Sequence, residues 1–166
     1  SNTNISLVDK IAFIVTGGKE ANILVGSEYG KIWKKYKTPI THGEKMTGIF
    51  SMDILSVDTA VIAGGNWSSK ENKVKAMAIT KDGGITWELK ENNFGYVSCV
   101  QFIPKTNSLV ACSSNGIYCS EDLAENWKKV IEEGYYSLRI SKNGEYLYFS
   151  GKNKLMNVDI ATLLSN

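Results

Sequence analysis

The chain has 166 residues, of which 43% are apolar and 22% are charged. That length is typical of one domain, and the apolar fraction suffices for a sizeable core, so the composition excludes a largely disordered chain. The 19 basic and 17 acidic residues leave a net charge of +2, which creates no field strong enough to attract nucleic acid or an anionic membrane. No apolar run approaches the ~18 residues that span a bilayer, so we expect no membrane insertion.

Short apolar runs rich in Val, Ile, Tyr and Phe alternate along the chain with clusters of Gly, Asn, Ser and Lys. Helical periodicity is almost absent, so this pattern predicts an all-β fold. The runs form four groups, at residues 4–38, 46–90, 95–131 and 134–160. The strands predicted in the first two groups are 4–9, 10–16, 22–27, 31–37, 48–56, 59–64, 74–80 and 86–90. The third group contains 97–103, 108–113, 116–120 and 126–131, and the fourth contains only 137–141, 146–150 and 154–159.

An eight-residue motif recurs between the last two strands of a group. The segment 80–87, TKDGGITW, returns at 120–127 as SEDLAENW with the hydroxyl, the Asp and the Trp at the same spacing. A shorter copy, SEYGKIW at 27–33, has Tyr29 in place of the Asp. The intervals of 54 and 40 residues between the Trp residues suit four-stranded blades of a β-propeller. Because the last group lacks a fourth strand, we predict a partial ring of about four antiparallel blades.

The motif has the chemistry of a tight turn. The carboxylate of Asp82 is placed to accept hydrogen bonds from turn N–H groups, and the glycines that follow tolerate positive φ. We therefore predict a structural role for the motif and no catalytic one. The residues assigned to it are Thr80, Asp82, Gly84, Trp87, Ser120, Asp122, Trp127, Ser27 and Trp33.

The TKDGGITW motif resembles the Asp box, or BNR repeat, of sialidases and many other propellers. Further stretches, among them TGIFSMDILSVDTAVIAGGNW and GYYSLRISKNGEYLYFSGKNK, resemble the C-terminal half of a bacterial family of Asp-box propellers. That family is similar to the photosystem II assembly and stability factors, and its members are often labelled oxidoreductase or glycosyl hydrolase. The resemblance implies that 1–166 is one propeller segment, the C-terminal half of a longer propeller, and that the protein is exported to the periplasm or the exterior.

The loops between blades, which form the usual ligand face of a propeller, carry several aromatic side chains. These loops span residues 37–47, 66–73, 92–96 and 134–136. Aromatic rings supply binding area at little entropic cost, so the loops are candidates for binding a peptide or a glycan. The alternative is that the rings only cover the blade ends. The candidate binding residues are His42, Asn66, Trp67, Phe94, Tyr96, Tyr135 and Tyr136.

The amino-acid composition and motifs give little support to a catalytic function. A sialidase requires three arginines, and Arg139 is the only one, which excludes sialidase activity for this chain by itself. No GxGxxG motif follows a strand and there is no βαβ pattern, so we expect no nucleotide cofactor. Paired carboxylates for glycoside hydrolysis remain an alternative. The acidic residues in question are Asp53, Asp58, Glu71 and Glu91, and their spacing singles out no pair.

The three cysteines are too few and too irregularly spaced for a disulfide framework or a zinc site. If residues 104–107 form a hairpin loop, Cys99 lies directly opposite Cys112. Opposed strand residues can approach disulfide distance, so a bridge is a hypothesis, and small buried thiols are the alternative.

The sequence thus favours a non-enzymatic propeller module for binding or assembly, with a protein or glycan ligand on the loop face and no cofactor or metal. The alternative is a carbohydrate-active propeller whose site is completed by a missing N-terminal half. Unpaired sheet edges at the ends of an arc invite association. We therefore expect self-association or pairing with that missing half.

Overall fold

The computed structural model describes residues 3–73, 75–91 and 94–165, and their strands form four antiparallel sheets. The first sheet contains β1 (Ile5–Val8), β2 (Ile11–Val15), β3 (Asn22–Ser27) and β4 (Ile32–Lys37). The second contains β5 (Thr47–Ile54), β6 (Ala60–Asn66), β7 (Met77–Thr80) and β8 (Glu88–Leu89). The third contains β9 (Val97–Phe102), β10 (Leu109–Ser113), β11 (Gly116–Ser120) and β12 (Lys128–Ile131). The fourth contains β13 (Ser137–Ile140), β14 (Tyr146–Gly151) and β15 (Lys154–Asp159).

Each sheet is a meander in which every strand pairs with the next one along the chain. The prediction of an all-β fold is therefore confirmed. The helical content is small: two 3-10 turns, Glu28–Gly30 and Trp67–Ser69, and the helix α1 (Ile160–Leu164). The side chain of Asp159 caps that helix by accepting a hydrogen bond from the amide of Thr162 at 3.0 Å.

The last two strands of the second sheet are shorter than the sequence prediction. The third strand begins at Met77, whereas residue 74, the predicted start, lies outside the described residues. The fourth strand comprises only Glu88–Leu89 instead of 86–90. The shortening has a local cause, because Thr86 and Trp87 are bound to the preceding turn and do not join the ladder.

Three apolar cores lie between the four sheets. One joins the first and second sheets through side chains such as Phe13, Ile23 and Ile62. The next joins the second and third sheets, and the last joins the third and fourth sheets and α1. The first and the fourth sheet therefore each pack on one neighbour, and the arc is open.

Hydroxyl and thiol groups join the first strands of successive sheets. Thr3 Oγ1 donates a hydrogen bond to Ser51 Oγ at 3.1 Å. Ser51 Oγ in turn accepts one from the amide of Val100 at 3.0 Å and lies 3.4 Å from the Val100 carbonyl oxygen. The thiol of Cys99 donates to the carbonyl of Leu138 at 3.8 Å. These contacts connect four sheets at the point where their strands converge.

The carboxylates of the two longer motif copies accept matching hydrogen bonds. Asp82 Oδ1 accepts from Thr80 Oγ1 at 2.8 Å and from the Thr86 amide at 2.9 Å. In the second copy, Asp122 Oδ1 accepts from Ser120 Oγ at 2.8 Å and from the Asn126 amide at 2.9 Å. Each carboxylate thus closes its turn between the third and the fourth strand of its sheet.

The shorter motif copy at 27–33 forms a 3-10 turn without an acidic anchor. Its residue Tyr29 adopts a left-handed φ of 59°, and Trp33 Nε1 donates to the Gly30 carbonyl at 2.8 Å. The equivalent indole of Trp87 donates to the Gly84 carbonyl at 3.1 Å. The indole contact therefore persists where the carboxylate contact is lost.

The proposed disulfide is not present. Cys99 and Cys112 are register partners of β9 and β10, as the hairpin count predicted, but both thiols are free and buried. The Cys99 thiol is directed to the Leu138 carbonyl and to Ser51 Oγ, each 3.8 Å away, on neighbouring sheets. The Cys99 thiol therefore contacts groups of the neighbouring sheets instead of forming a bond with Cys112 in its own sheet.

The substitution Ser51→Ala should destabilise the fold by about 2 kcal/mol, because it leaves the buried amide of Val100 without the hydroxyl that accepts its hydrogen bond. Urea unfolding at neutral pH measures this loss. Ser56→Ala is a matched control, since the exposed Ser56 hydroxyl accepts only a local bond from the Thr59 amide. Equal effects of the two substitutions would contradict the role given to Ser51.

Hydrogen bonds from Asn126 lower the pKa of Asp122 to about 2, from an ordinary value of 3.8. A lowered pKa in the folded state adds stability above the unfolded pKa, and that stability is lost as the pH falls through the folded pKa. Asp122→Asn should therefore unfold at lower urea than the native chain at neutral pH, and the difference should narrow between pH values of about 4 and about 2. Glu121→Gln, which neutralises the adjacent carboxylate, is the control. A constant difference across that range would contradict the assignment.

Candidate functional site

The loops at one end of the second, third and fourth sheets enclose a cavity of about 460 Å³. It lies where the connection after β6 and the connections before β9 and β13 approach one another. Aromatic rings and serine hydroxyls make up most of its wall. The lining residues are Phe50, Trp67, Lys70, Tyr96, Ser98, Ser114, Tyr135, Tyr136 and Ser137.

Two glycines allow these loops to come together. A Cβ atom at Gly95 would lie 2.2 Å from the carbonyl oxygen of Lys70, and the neighbouring Tyr96 amide donates to that oxygen at 2.9 Å. A Cβ atom at Gly134 would lie 2.1 Å from the carbonyl oxygen of Ser114. Any larger residue would push the loops apart, so both glycines shape the cavity.

Trp67 is held at the cavity by the residue before it. Asn66 Oδ1 accepts hydrogen bonds from the amides of Ser68 and Ser69 at 2.8 and 3.1 Å, which caps the 3-10 turn. The Lys70 ammonium lies 4.8 Å from the centroid of the Trp67 ring. The indole remains 45% exposed. It therefore presents apolar area and an adjacent positive charge.

Tyr96 is one of two buried phenols of the site. Its ring packs edge-on against Phe50, with 5.1 Å between the centroids and an interplanar angle of 81°. The side chain is only 6% exposed, and burial raises the pKa of Tyr96 to about 12. The group is thus a neutral hydroxyl at physiological pH.

Tyr135 and Tyr136 occupy neighbouring positions with different exposure. Tyr135 is 4% exposed, and the ammonium of Lys154 lies 4.2 Å from its ring centroid. Its carbonyl accepts a hydrogen bond from Ser98 Oγ at 3.1 Å, which ties the loop to β9. Tyr136 is 58% exposed. The cavity therefore combines anchored rings with freely accessible ones.

The structure brings four of the seven predicted binding residues to this cavity: Trp67, Tyr96, Tyr135 and Tyr136. Asn66 acts one step away by capping the turn. A binding role for these residues stays a prediction. Phe50, Lys70 and the serines were missed, and Phe50 lies at a register shift of β5, where strand alternation gives no reliable face.

Phe94 and His42 lie outside the cavity. Phe94 is 2% exposed and stacks on Tyr118 with 3.8 Å between the centroids. Residues 92 and 93 of the same predicted loop lie outside the described residues. The His42 ring nitrogen Nδ1 lies 2.8 Å from the Ile40 carbonyl oxygen, in a separate depression of about 110 Å³.

Among the described residues, the wall of the cavity contains one cation and no carboxylate, imidazole or thiol. Of the four acidic residues considered for catalysis, Asp53 is engaged elsewhere, because it accepts a hydrogen bond from the Phe102 amide at 2.8 Å. Burial raises the pKa of Asp53. The cavity therefore lacks the pair of carboxylates that general acid and base catalysis of glycoside hydrolysis uses.

Two absences hold for residues 3–73, 75–91 and 94–165. Within these ranges no three His, Cys, Asp or Glu side chains are grouped so that they could hold a metal ion. In the same part of the chain no helix has the length and apolarity needed to cross a membrane.

Comparison with known proteins shows the fold. No family model and no curated protein sequence matches the chain. Among solved structures, the chain is similar to the WD40 domain of Neurospora crassa Pan2, with 15% identity and a TM-score of 0.63 over 90% of this chain and 47% of that one. It is also similar to an ancestral GH74 enzyme, with 12% identity and a TM-score of 0.65 over 93% of this chain and 22% of that one.

The chain therefore spans about half the length of the first of these structures and about a fifth of the second. The likeness confirms the prediction of a β-propeller, here as an open arc of antiparallel sheets. At such low identity it establishes the fold alone.

The raised pKa of Tyr96 predicts an alkaline effect on stability. Because the folded state holds the phenol proton up to a pH of about 12, stability should fall as the pH rises from about 10 to about 12. Tyr96→Phe should show a smaller fall over this range and similar stability at neutral pH. Thermal unfolding followed by circular dichroism measures both. Parallel profiles of the two proteins at alkaline pH would contradict the assignment.

Proposed function

We propose that the chain is a non-enzymatic propeller module that binds an extended peptide segment of a protein partner at the aromatic cavity. The observation that carries the proposal is the convergence of four aromatic loop residues on one cavity of about 460 Å³. Tyr and Trp dominate the energetic centres of protein interfaces, because each adds large contact area with few rotatable bonds.

The polarity of the wall indicates the chemistry of the peptide. Lys70 is the only charged residue in the described part of the wall, so an acidic side chain beside an apolar anchor fits better than a basic one. The Lys70 ammonium also covers one face of the Trp67 indole. That arrangement leaves less open ring surface for a sugar to stack on.

The turns at 80–87 and 120–127 support the interpretation of the chain as an Asp-box propeller. Their Asp carboxylates serve the turns, which leaves the opposite loops for binding. A relationship to the photosystem II assembly and stability factors agrees with a module that acts by binding, and it also implies an exported protein. We include both in the proposal.

A glycan ligand is the second candidate. The accessible rings of Trp67 and Tyr136 and three serine hydroxyls are groups that bind sugars by stacking and hydrogen bonding. Because the cavity contains no carboxylate, this candidate concerns glycan binding by the chain itself, and a glycosidase would need groups from a missing half.

The proposal is tested by selecting the full chain against a library of short random peptides and, in parallel, against a glycan array. We expect selected peptides with Asp or Glu next to a large apolar residue. Trp67→Ala and Tyr136→Ala should weaken the best peptide by about 30-fold, which corresponds to about 2 kcal/mol at an interface anchor.

Tyr29→Ala is the matched control, because Tyr29 is 78% exposed but lies in the turn Glu28–Gly30, away from the cavity. It should leave peptide binding unchanged. Lys70→Met should reduce the preference for acidic peptides. Glycan binding that Trp67→Ala abolishes, without any peptide selected, would favour the second candidate and overturn the first.

A further inference from the structure

The first sheet leaves one face without a neighbouring sheet, and we name it the first end face. Strand register places Ile5, Ile14 and Leu24 side by side across β1, β2 and β3. Leu7 lies on the same face and is 77% exposed, and Ile5 is 63% exposed. The Trp33 ring covers Gly26 at the outer part of this face. From β1 to β3 this face is an apolar surface in contact with water, and on β4 it carries Lys35 next to Leu24.

The fourth sheet also has one face without a neighbouring sheet, and we name it the last end face. Along β14, Leu147 and Phe149 are buried against the third sheet, whereas Tyr146 and Tyr148 point away from it. Leu155 of β15 lies on the open side and is 84% exposed. Two tyrosines and a leucine thus form a second exposed patch, in which Arg139 and Asn157 flank Tyr148.

The two end faces point in opposite directions relative to the order of the sheets along the chain. Wherever sheets meet in the arc, the face of one sheet that looks forward along the chain packs on the backward-looking face of the next. Phe13 and Ile23 of the first sheet, for example, meet Ile62 of the second. The first end face looks backward and the last end face looks forward. One backward-looking face and one forward-looking face are what a further contact between sheets requires. Two copies of the same end face do not meet this requirement.

We propose that the first end face of one copy packs on the last end face of a second copy, and that two such contacts close a two-chain ring of eight sheets. The chain corresponds to 47% of the Pan2 WD40 domain, so two copies supply about one full ring. Eight blades lie within the range of known propellers. A head-to-tail contact that closes on itself gives a finite ring instead of a filament. This assembly is independent of the proposed ligand.

Exposed apolar faces of this kind are uncommon on monomeric proteins, because contiguous apolar patches promote association. A sheet edge would offer backbone groups to any extended strand. The end faces are more selective, since they require a partner sheet with side chains in matching register. The second copy supplies such a sheet.

The full chain is tested by light scattering coupled to size exclusion at micromolar concentration. We expect a dimer with twice the chain mass of 18.3 kDa. Leu7→Glu and Leu155→Glu should each weaken the dimer by at least about 30-fold, as expected for a charge buried at an interface anchor. Ile85→Glu, at a 55% exposed residue in a turn outside both faces, is the control and should remain dimeric.

Mixing the two single variants identifies the geometry. In a head-to-tail dimer, the intact last end face of Leu7→Glu can pack on the intact first end face of Leu155→Glu, so the mixture should form dimers that neither variant forms alone. Circular dichroism should show that both variants are folded.

A monomeric native chain would overturn the proposal. So would a dimer disrupted by only one of the two substitutions, because that result indicates contact between two copies of one face. Polymers without a defined size would exclude the closed ring.

Discussion

The arc depends on the way its innermost strands meet. Isolated backbone hydrogen bonds, such as that from the Gly18 amide to the Thr47 carbonyl at 2.7 Å, join adjacent sheets, and side chains add to them. Ser51, which is 0% exposed, is one of these side chains. It binds the Val100 amide of the next sheet on one side and Thr3 on the other. Space is equally restricted at Gly48 of the second sheet, where a Cβ atom would lie 2.3 Å from the Cα atom of Gly17, in the connection between β2 and β3 of the first sheet. Small residues and buried hydroxyl groups are therefore a condition for the convergence of the sheets.

The same kind of contact shapes the candidate site. Ser98 Oγ donates to the Tyr135 carbonyl at 3.1 Å and lies 3.1 Å from the Cys112 carbonyl oxygen, so it connects a loop of the fourth sheet to the third. Gly95 and Gly134 permit the close approach of the remaining loops. The cavity is thus a product of the spacing between sheets, and its rings are presented by loops that the sheets hold rigidly. Such preorganisation lowers the entropic cost of binding.

Local patterns in the sequence predicted the fold class and the turn chemistry, because both depend on residues close together in the chain. The repeated Asp and Trp positions, for instance, set turns whose bonds span only a few residues. The contact of Ser51 with Val100 spans 49 residues, and no spacing in the sequence reveals it. The residues of the candidate site were predicted only in part, because contacts between distant segments also decide which loops meet. Loop position identified Trp67 and Tyr136, but it gave equal weight to His42, and only the sheet arrangement separates them.

The cavity receives side chains from the second, third and fourth sheets and none from the first. The aromatic wall of the cavity is therefore formed by residues of one chain, and a partner copy is not needed to form it. Ring closure concerns the outer faces of the first and fourth sheets, where Leu7 and Leu155 lie. A monomeric chain that binds peptides would overturn only the proposed ring. A dimeric chain that binds no peptide would overturn only the proposed binding function. The proposed binding at the loops and the proposed assembly at the ends thus involve different residues of one scaffold, so substitutions can test them independently.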